Sequence, residues 1–297
     1  MKSKSLYPLF IGFGKQAQEY AKVLIKKKIK IQSVCVTDLD KKKKIFNKYK
    51  IKNRYNNIGK AINDKKYNCI FIFLPFNIIE KKILKILKMT NAPIYSEKPL
   101  ALSYKKISEI DTFVKKNKKK LYILYNRNHY NIYKVLKSYS KREKFILRAY
   151  IPERINETIK KIDKNLKGNI KYHLSSHWLN FFFSLQKIKN LQPVKKDKSI
   201  FYTDKNSEIL ISPNDKGFIT AVFKSKKYVL LLLTLEQLFI FKIKENGIKF
   251  LKHYNEFSHN NFKPGLKNLI ECMLKKKLKT NVTEIKILYK SLKNLNY

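Results

Sequence analysis

The 297-residue sequence predicts an α/β protein: an N-terminal doubly wound parallel sheet, followed by a C-terminal α+β domain with a mainly antiparallel open sheet. Three observations support this fold class. The first ~120 residues alternate short, continuous apolar runs with lysine-rich helical stretches, which is typical of βαβ units. A turn containing two glycines separates the first apolar run from the first helix. From residue 199 to residue 251, short strands alternate with turn signals, which indicates hairpins rather than crossovers.

The elements of the first domain follow from apolar periodicity. Uninterrupted apolar runs predict strands at Tyr7–Ile11, Ile31–Thr37, Cys69–Leu74, Pro93–Ser96 and Leu121–Tyr125. Helical periodicity predicts helices at Gln16–Lys28, Lys41–Tyr49 and Ile78–Met89. The sequence changes in character at residue 121, so the two domains are predicted as 1–121 and 122–297.

The second domain is predicted to combine helices with hairpins. Helices are expected at Asn131–Ser140, Leu174–Leu185, Leu266–Lys275 and Val282–Leu292, with a strand at Phe145–Ile151. Turn signals at residues 204–207, 213–217, 224–227 and 245–247 separate the later strands. Apolar and polar residues alternate around residues 218–233, which predicts a sheet with one uncovered face. Such a face is a natural surface for a homo-oligomer, a dimer or tetramer.

The net charge of +46 comes almost entirely from lysine. Proteins that read nucleic acids usually exploit arginine, whose planar fork grips phosphates and guanine edges. Here the lysines are scattered through nearly every polar stretch, beside an excess of Ile, Asn, Tyr and Phe, as in proteins from genomes poor in G and C. The charge therefore predicts solubility and loose attraction to polyanions, without a specific nucleic-acid partner.

The cysteines and the apolar runs indicate the compartment. Cys35, Cys69 and Cys272 lie far apart in apolar stretches, so they predict neither a disulfide framework nor a zinc site. The chain does not open with a secretory signal pattern. Its longest apolar stretches, such as Tyr228–Leu233, are too short to cross a bilayer. We therefore expect a cytoplasmic protein without a membrane partner.

The turn after the first strand predicts a dinucleotide site. It reads Gly12-Phe13-Gly14-Lys15-Gln16-Ala17, the G-x-G-x-x-A pattern of a Rossmann fold. Gly12 permits the tight turn, Gly14 lets backbone N–H groups approach a pyrophosphate, and Ala17 keeps the helix close to the sheet. These six residues are therefore predicted to bind the cofactor.

Asp38 directly follows the second predicted strand, Ile31–Thr37, roughly twenty residues after the glycine turn. A carboxylate there can accept hydrogen bonds from the adenosine ribose and repels a 2′-phosphate, which favours NAD over NADP. The lysine run at residues 41–44 can offset that repulsion, so NADP remains open.

Glu97-Lys98-Pro99 follows the buried strand Pro93–Ser96, and charged residues at the carboxyl end of a parallel strand face the ligand crevice. Together with the glycine turn and the strand exit at Leu74-Pro75, this segment resembles the Gfo/Idh/MocA oxidoreductases, the family of glucose–fructose oxidoreductase and inositol dehydrogenase. The resemblance implies that Pro75 and Glu97 contact the cofactor, Glu97 at the nicotinamide-side ribose. It also implies that Lys98 lies beside the cofactor and the substrate carbinol, where its ammonium group steadies developing negative charge.

The helix predicted at Leu174–Leu185, with the residue before it, carries a polar and an apolar face. His173, His177 and Asn180 are spaced i, i+4 and i+7, whereas Leu174, Trp178, Phe181 and Leu185 share the apolar face. The two histidines have a spacing that suits a metal, but no third ligand is evident, so no metal is predicted.

The same helix resembles the family pattern D-x-G-x-H-x-x-D, whose histidine is the general acid/base on the substrate hydroxyl. His177 falls on that histidine, and its residue type titrates near neutrality. His173, Ser175 and Asn180 depart from the pattern, and the loss of the first aspartate removes a group that would raise the basicity of His177.

A second substrate segment resembles the family's N-R-R-F. It reads Asn126-Arg127-Asn128, with Asn128 in place of the second arginine. Arg127 and Asn128 are therefore predicted to bind substrate, as are His173, Trp178 and Asn180. A surface salt bridge is an equally open role for Arg127.

The resemblance thus implies hydride transfer between a nicotinamide and a secondary alcohol or ketone of a sugar, nucleotide-sugar or cyclitol, with Lys98 and His177 as the catalytic residues. Two alternatives remain open. One is a relative that binds a dinucleotide but turns over poorly, and the other is a basic nucleic-acid-binding protein.

Overall fold

The computed structural model describes residues 6–160, 169–186, 192–196, 199–257, 262–279 and 281–293. The chain divides into two units, one formed by residues 1–124 with 266–286 and the other by residues 125–265 with 287–297. The C-terminal stretch 266–286 thus belongs to the first unit. The predicted division into 1–121 and 122–297 places this stretch in the second domain instead.

Six parallel strands form the sheet of the first unit, in the order β3-β2-β1-β4-β5-β6. The strands are β1 (Pro8–Ile11), β2 (Ser33–Cys35), β3 (Asn53–Tyr55), β4 (Cys69–Ile72), β5 (Ile94–Ser96) and β6 (Leu121–Ile123). The order reverses direction at β1 and β4, the switch point outside which doubly wound sheets bind their ligands. The predicted doubly wound parallel sheet is confirmed.

The helices of the first unit each bury one apolar stripe. In α4 the buried residues Ile79, Ile83, Ile86 and Leu87 recur at helical spacing. The full set before residue 124 is α1 (Lys15–Lys26), α2 (Lys43–Lys48), α3 (Ile58–Asn63), α4 (Phe76–Met89) and α5 (Tyr104–Lys116).

The C-terminal return completes this unit. It carries α10 (Leu266–Leu274) and the start of α11 (Val282–Lys293). The Asn281 amide pairs with the edge strand β6: its Oδ1 accepts from the Ile123 N–H at 2.9 Å, and its Nδ2 donates to the Ile123 carbonyl at 3.0 Å. The Thr283 hydroxyl donates to the buried Asp111 carboxylate of α5 at 2.7 Å. Asn281 therefore satisfies backbone groups that the sheet edge would otherwise leave without protein partners.

The second unit contains an eight-stranded sheet in the order β14-β13-β12-β11-β7-β10-β9-β8. Only the β7–β10 pair is parallel, and the mainly antiparallel character is confirmed. The strands are β7 (Ile146–Glu153), β8 (Gln192–Lys196), β9 (Ser199–Asp204), β10 (Ser207–Pro213), β11 (Thr220–Lys224), β12 (Tyr228–Leu233), β13 (Gln237–Lys244) and β14 (Gly247–Asn255).

The two faces of this sheet differ. One face is buried against helices, as the contact between Phe223 of β11 and Phe182 shows, with ring centroids 6.4 Å apart. The other face carries a row of partly exposed apolar residues across neighbouring strands, Val222, Leu231 and Phe239, and ends at His253. The His253 ring stacks on Phe239 at 4.3 Å.

The helices that accompany the sheet are α6 (Asn131–Ser140), α7 (Ile155–Ile159), α8 (Ile170–His173) and α9 (Ser175–Gln186). The buried carboxylate of Glu256 accepts the Asn131 and Ile132 N–H groups at 3.0 and 3.1 Å and so caps the N-terminus of α6. Of the helices in the described ranges, none combines the length and apolar character that a membrane crossing requires.

Candidate cofactor and substrate sites

Gly12 is required by the fold itself. Its φ of +86° lies in the left-handed region, and its N–H donates to the Cys35 carbonyl at 2.8 Å. A Cβ at this position would lie 2.5 Å from the Phe73 carbonyl oxygen. The tight turn that ends β1 therefore admits only glycine.

Gly14 has no comparable structural reason to be glycine. It is the N-cap of α1, with φ −79° and ψ −170°, extended backbone that any residue adopts. A Cβ there would meet no atom within 4 Å. The missing side chain instead leaves open space at the helix N-terminus, where the first N–H groups have no partner within the helix. That space fits a pyrophosphate held by backbone N–H groups and the helix dipole.

The neighbours of Gly14 have different roles. Ala17 is fully buried, which agrees with its predicted role in helix-to-sheet packing, and Lys15 is exposed. Phe13 is 2% exposed and packs edge-on against Phe10 and Tyr49. Its side chain belongs to the core, so only its backbone is left for the predicted cofactor contact. Pro75 is the N-cap of α4 and follows β4 after the two residues Phe73 and Leu74.

Asp38 lies beyond the end of β2, as predicted. Its carboxylate accepts the Lys41 N–H at 3.0 Å and lies 3.2 Å from the Lys41 ammonium nitrogen. These two interactions, the backbone hydrogen bond first, lower the pKa of Asp38. An ionised carboxylate is thus present for ribose hydroxyls, with a cation directly beside it.

Glu97 is held next to the start of α1. Its Oε1 accepts from Gln16 Nε2 at 3.2 Å, and its Oε2 accepts the Lys98 N–H at 3.2 Å. Burial, and then the nearby Glu97 charge, raises the pKa of Tyr20 well above its usual value. The peptide bond between Lys98 and Pro99 is cis. The structure therefore brings Gly14, Gln16 and Glu97 to one end of the sheet of the first unit.

In the second unit, the predicted substrate segment forms a short 3₁₀ turn, Asn126–His129. Asn126 Nδ2 donates to the Pro264 carbonyl at 3.1 Å. The following Gly265 has φ +74°, and a Cβ there would lie 2.3 Å from the Asn126 carbonyl oxygen. The turn is thus fixed by a close approach of the Pro264-Gly265 backbone.

Arg127 stacks on Trp178. Its guanidinium carbon lies 3.3 Å from the centre of the indole ring. Burial lowers the pKa of Arg127 to about 10, still well above neutrality, so the group remains charged. Arg127 is only partly exposed, and none of the ion pairs among the described residues includes it. The His177 ring lies 5.5 Å from the Trp178 ring and 6.1 Å from that of Tyr125.

The helix that carries His177, the predicted acid/base, begins at a different residue than expected. Instead of one helix beginning at Leu174, α8 ends at His173 and α9 begins at Ser175, although Leu174 keeps a helical backbone. The predicted apolar face is also partly wrong. Phe181 and Leu185 are buried, but Leu174 and Trp178 are only partly so. The reason is that α9 is covered on more than one side.

The covered sides of α9 bury polar groups as well. Ser175, Ser176 and Asn180 are at most 8% exposed. His173 and His177 are partly exposed. The polar positions predicted to share an edge thus differ in burial, with Asn180 the most enclosed of the three.

Local sequence patterns do not single out Glu153, whose carboxylate contacts this helix. It ends β7, is 2% exposed, and its Oε2 accepts from the Ser175 hydroxyl at 3.1 Å. Ser175 stands where the family pattern has glycine. The signal was a lone acidic residue at the end of an apolar strand, which does not reveal its partner. Among the described residues, no group of three potential metal ligands occurs.

Comparisons with known proteins agree with this architecture. Residues 8–125 match the GFO_IDH_MocA family model, described as "Oxidoreductase family, NAD-binding Rossmann fold". This match bears out NAD as the cofactor class expected from the sequence. No curated protein sequence matches the chain.

Three solved structures resemble the whole chain. A dehydrogenase (MviM) from Clostridium difficile is 19% identical, with a TM-score of 0.75 and 97% of each chain covered. An oxidoreductase from Agrobacterium radiobacter, in complex with NAD+, L-tartaric acid and magnesium, is 11% identical, with a TM-score of 0.74 and coverage of 97% of this chain and 94% of that one. The super-repressor mutant of Gal80p from Saccharomyces cerevisiae is 9% identical, with a TM-score of 0.79 and coverage of 97% and 95%.

At these identities the likeness shows a shared fold along nearly the entire chain. The family model matches only the first domain, which contains the glycine turn, Asp38 and the Glu97-Lys98-Pro99 segment. Residues 8–125 are thus similar in sequence to the NAD-binding Rossmann-fold domain of the Gfo/Idh/MocA oxidoreductase family.

Proposed function

We propose that the protein transfers a hydride between NAD and a secondary alcohol or ketone of a sugar, nucleotide-sugar or cyclitol. The observation that carries the proposal is the open space at Gly14. Packing does not require glycine there, whereas a pyrophosphate at the N-terminus of α1 does.

The residues of the first unit have distinct roles in this proposal. The backbone from Gly12 to Ala17 receives the pyrophosphate, with Lys15 and Gln16 at the opening of the helix. Asp38 accepts hydrogen bonds from the adenosine ribose hydroxyls. Lys41 beside it offsets the repulsion of a 2′-phosphate, which leaves NADP as a second possible cofactor. Glu97, positioned by Gln16, takes the ribose at the nicotinamide end, and Pro75 borders the cofactor. NAD, when bound, supplies the centre that accepts or donates the hydride.

Lys98 and His177 are the proposed catalytic residues. The Lys98 ammonium group orients the substrate and steadies negative charge that develops on the reacting oxygen. His177 takes the hydroxyl proton during oxidation and returns it during reduction. Arg127, Asn128, His173, Trp178 and Asn180 then bind the remainder of the substrate.

The test is steady-state turnover of the full-length protein with NADH and a panel of ketoses, nucleotide-sugars and cyclitol ketones. Lys98→Ala and His177→Ala should each lower kcat by about 100-fold or more, because general acid/base groups contribute about 10²–10⁴-fold. The exposed residues Lys81 and His253 provide matched controls, and their alanine variants should keep full activity. Full activity in His177→Ala would remove the role assigned to that residue.

A second candidate is a dinucleotide-binding relative with impaired turnover. It is favoured by His173 and Asn180, which stand where the family pattern has aspartates. Tight NADH binding without reduction of any compound in the panel would support this candidate over the first.

We also propose a cytoplasmic homo-oligomer that takes a small-molecule substrate and binds no specific nucleic acid. The sheet face that carries Val222, Leu231 and Phe239 supports the homo-oligomer, because contiguous exposed apolar surface is typical of interaction sites. Light scattering of Leu231→Lys should show a smaller particle than the unaltered protein. An unchanged mass would contradict the assignment of this face.

A further inference from the structure

Among the described residues of the second unit, Arg127 Nη1, Asn128 Oδ1 and Asn180 Nδ2 are buried side-chain atoms without a hydrogen-bond partner, as is Gln186 Nε2 at the end of α9. The first two belong to the 3₁₀ turn Asn126–His129 and Asn180 to α9, and these two elements pack against each other. A buried polar group without a partner keeps the cost of its lost hydration, and a charged group has a larger cost. Such a set is expected where a ligand supplies the missing partners.

Arg127 differs from the two other arginines of this unit that form ion pairs. Arg148 pairs with Glu208 at 3.0 Å, and Arg154 pairs with Glu157 at 3.7 Å, both on the surface. Arg127 is instead stacked on Trp178 at 3.3 Å, which fixes the plane of its fork; its side chain also interacts with Tyr130, and Nη1 is left without a partner.

Glu236 is the acidic residue that affects the charge of Arg127 electrostatically, and it interacts with Tyr130 as well. It forms no ion pair with Arg127 among the described residues, and Nη1 remains without an acceptor. The fork is therefore oriented by Trp178, and its Nη1 is left for a single hydrogen-bond acceptor.

We propose that the substrate carries an anionic oxygen group, a carboxylate or a phosphate on a polyol, that accepts from Arg127 Nη1. Asn128 and Asn180 supply an acceptor and a donor for the hydroxyl groups of the same molecule. This inference rests on the proposed function and narrows its substrate class from neutral sugars to sugar acids or sugar phosphates. The replacement of both aspartates of the family pattern by His173 and Asn180 agrees with it, because fewer carboxylates repel an anion less.

The test uses Trp178, which is the only tryptophan of the chain and lies directly under the guanidinium group. Its fluorescence in the full-length protein is titrated with D-glucuronate against D-glucose, and with D-gluconate against sorbitol, at constant ionic strength. D-glucose 6-phosphate forms a third arm, which separates a carboxylate from a phosphate preference. We expect at least one anion to bind tenfold or more tightly than its neutral partner. Equal affinity for all anions and their neutral partners would overturn the proposal.

Two variants assign the effect to the fork. Arg127→Met should remove the preference for anions, and Arg127→Lys should retain only part of it, because lysine keeps the charge without the planar fork. Arg148→Met is the matched control and should bind like the unaltered protein. If Arg127→Met kept the preference, general attraction by the lysine surface would explain it and the proposal would be wrong. If that variant did not fold, the comparison of Arg127→Lys with Arg148→Met would decide the same question.

NADH binding, measured by calorimetry on the same samples, separates this inference from the proposed function. A protein that binds NADH but shows no preference for anions contradicts only the substrate class. A protein that prefers anions but does not bind NADH contradicts the proposed oxidoreductase function.

Discussion

Replacing Gly14 with alanine separates the needs of a ligand from the needs of the fold. The backbone at Gly14 is extended and a Cβ meets no atom within 4 Å, so alanine fits without strain. Alanine is a poorer N-cap than glycine, which lowers the free energy of unfolding by about 0.5–1 kcal/mol. Alanine also reduces the conformational entropy of the unfolded chain, which raises the free energy of unfolding by about 0.4–1 kcal/mol. The two effects offset each other, and the free energy of unfolding should change by less than about 1 kcal/mol.

The effect on the cofactor should be much larger. The new methyl group occupies the space through which a pyrophosphate approaches the first N–H groups of α1. Losing one charge-assisted hydrogen bond costs about 1.5–3 kcal/mol, which corresponds to about 10- to 150-fold in Kd. Calorimetric titration with NADH measures the affinity, and thermal denaturation measures the stability.

Gly12→Ala is the matched comparison. Its φ of +86° costs a non-glycine residue about 1–2 kcal/mol, and the added Cβ overlaps the Phe73 carbonyl. This variant should lose stability as well as NADH binding. If Gly14→Ala bound NADH like the unaltered protein, the open space would not be a phosphate site and the reasoning would fail.

Three further predictions concern other parts of the molecule. Asn281→Ala removes both hydrogen bonds to Ile123 and should lower the free energy of unfolding in urea by about 2–4 kcal/mol, whereas the exposed Asn63→Ala should change it by less than about 0.5 kcal/mol. Burial, with Lys134 and Lys137 nearby, lowers the pKa of His129 from 6.5 to about 4. Between these two pH values the unfolded chain binds more protons than the folded chain, so the free energy of unfolding should fall by up to about 3 kcal/mol as the pH drops from 6.5 to 4. His129→Gln should flatten this pH dependence, and an unchanged slope would refute the assignment. Asp38→Ser removes the carboxylate that repels a 2′-phosphate and should shift the ratio of NADPH to NADH affinity about tenfold toward NADPH, measured by competitive titration.

The parallel sheet was predictable because its central strands are continuous apolar runs covered on both faces. Strand β3 was not predicted, because Asn53-Arg54-Tyr55 is a short polar edge strand without that pattern. Helix α5 was also missed, although its signals were present. Ser103 caps it, and Ile107, Ile110 and Val114 are buried at helical spacing.

The substrate side of the molecule was harder to predict. Spacing along one segment can place His173 and His177 on a helix, but it cannot reveal that Arg127 stacks on Trp178, since the two lie in separate elements. The carboxylate of Glu153 and its bond to Ser175 were missed for the same reason. Contacts between distant parts of the chain depend on tertiary packing, which local periodicity does not encode.

The partnership of Asn281 with Ile123 also bears on how the protein is made. The two residues are 158 positions apart, so the edge of the nucleotide-binding sheet has no permanent neighbour while the intervening chain is being synthesised. An exposed strand edge invites pairing with other chains. Nearly the whole polypeptide must therefore be synthesised before Asn281 can pair with this strand, so late residues of the chain complete an edge that the early residues leave exposed.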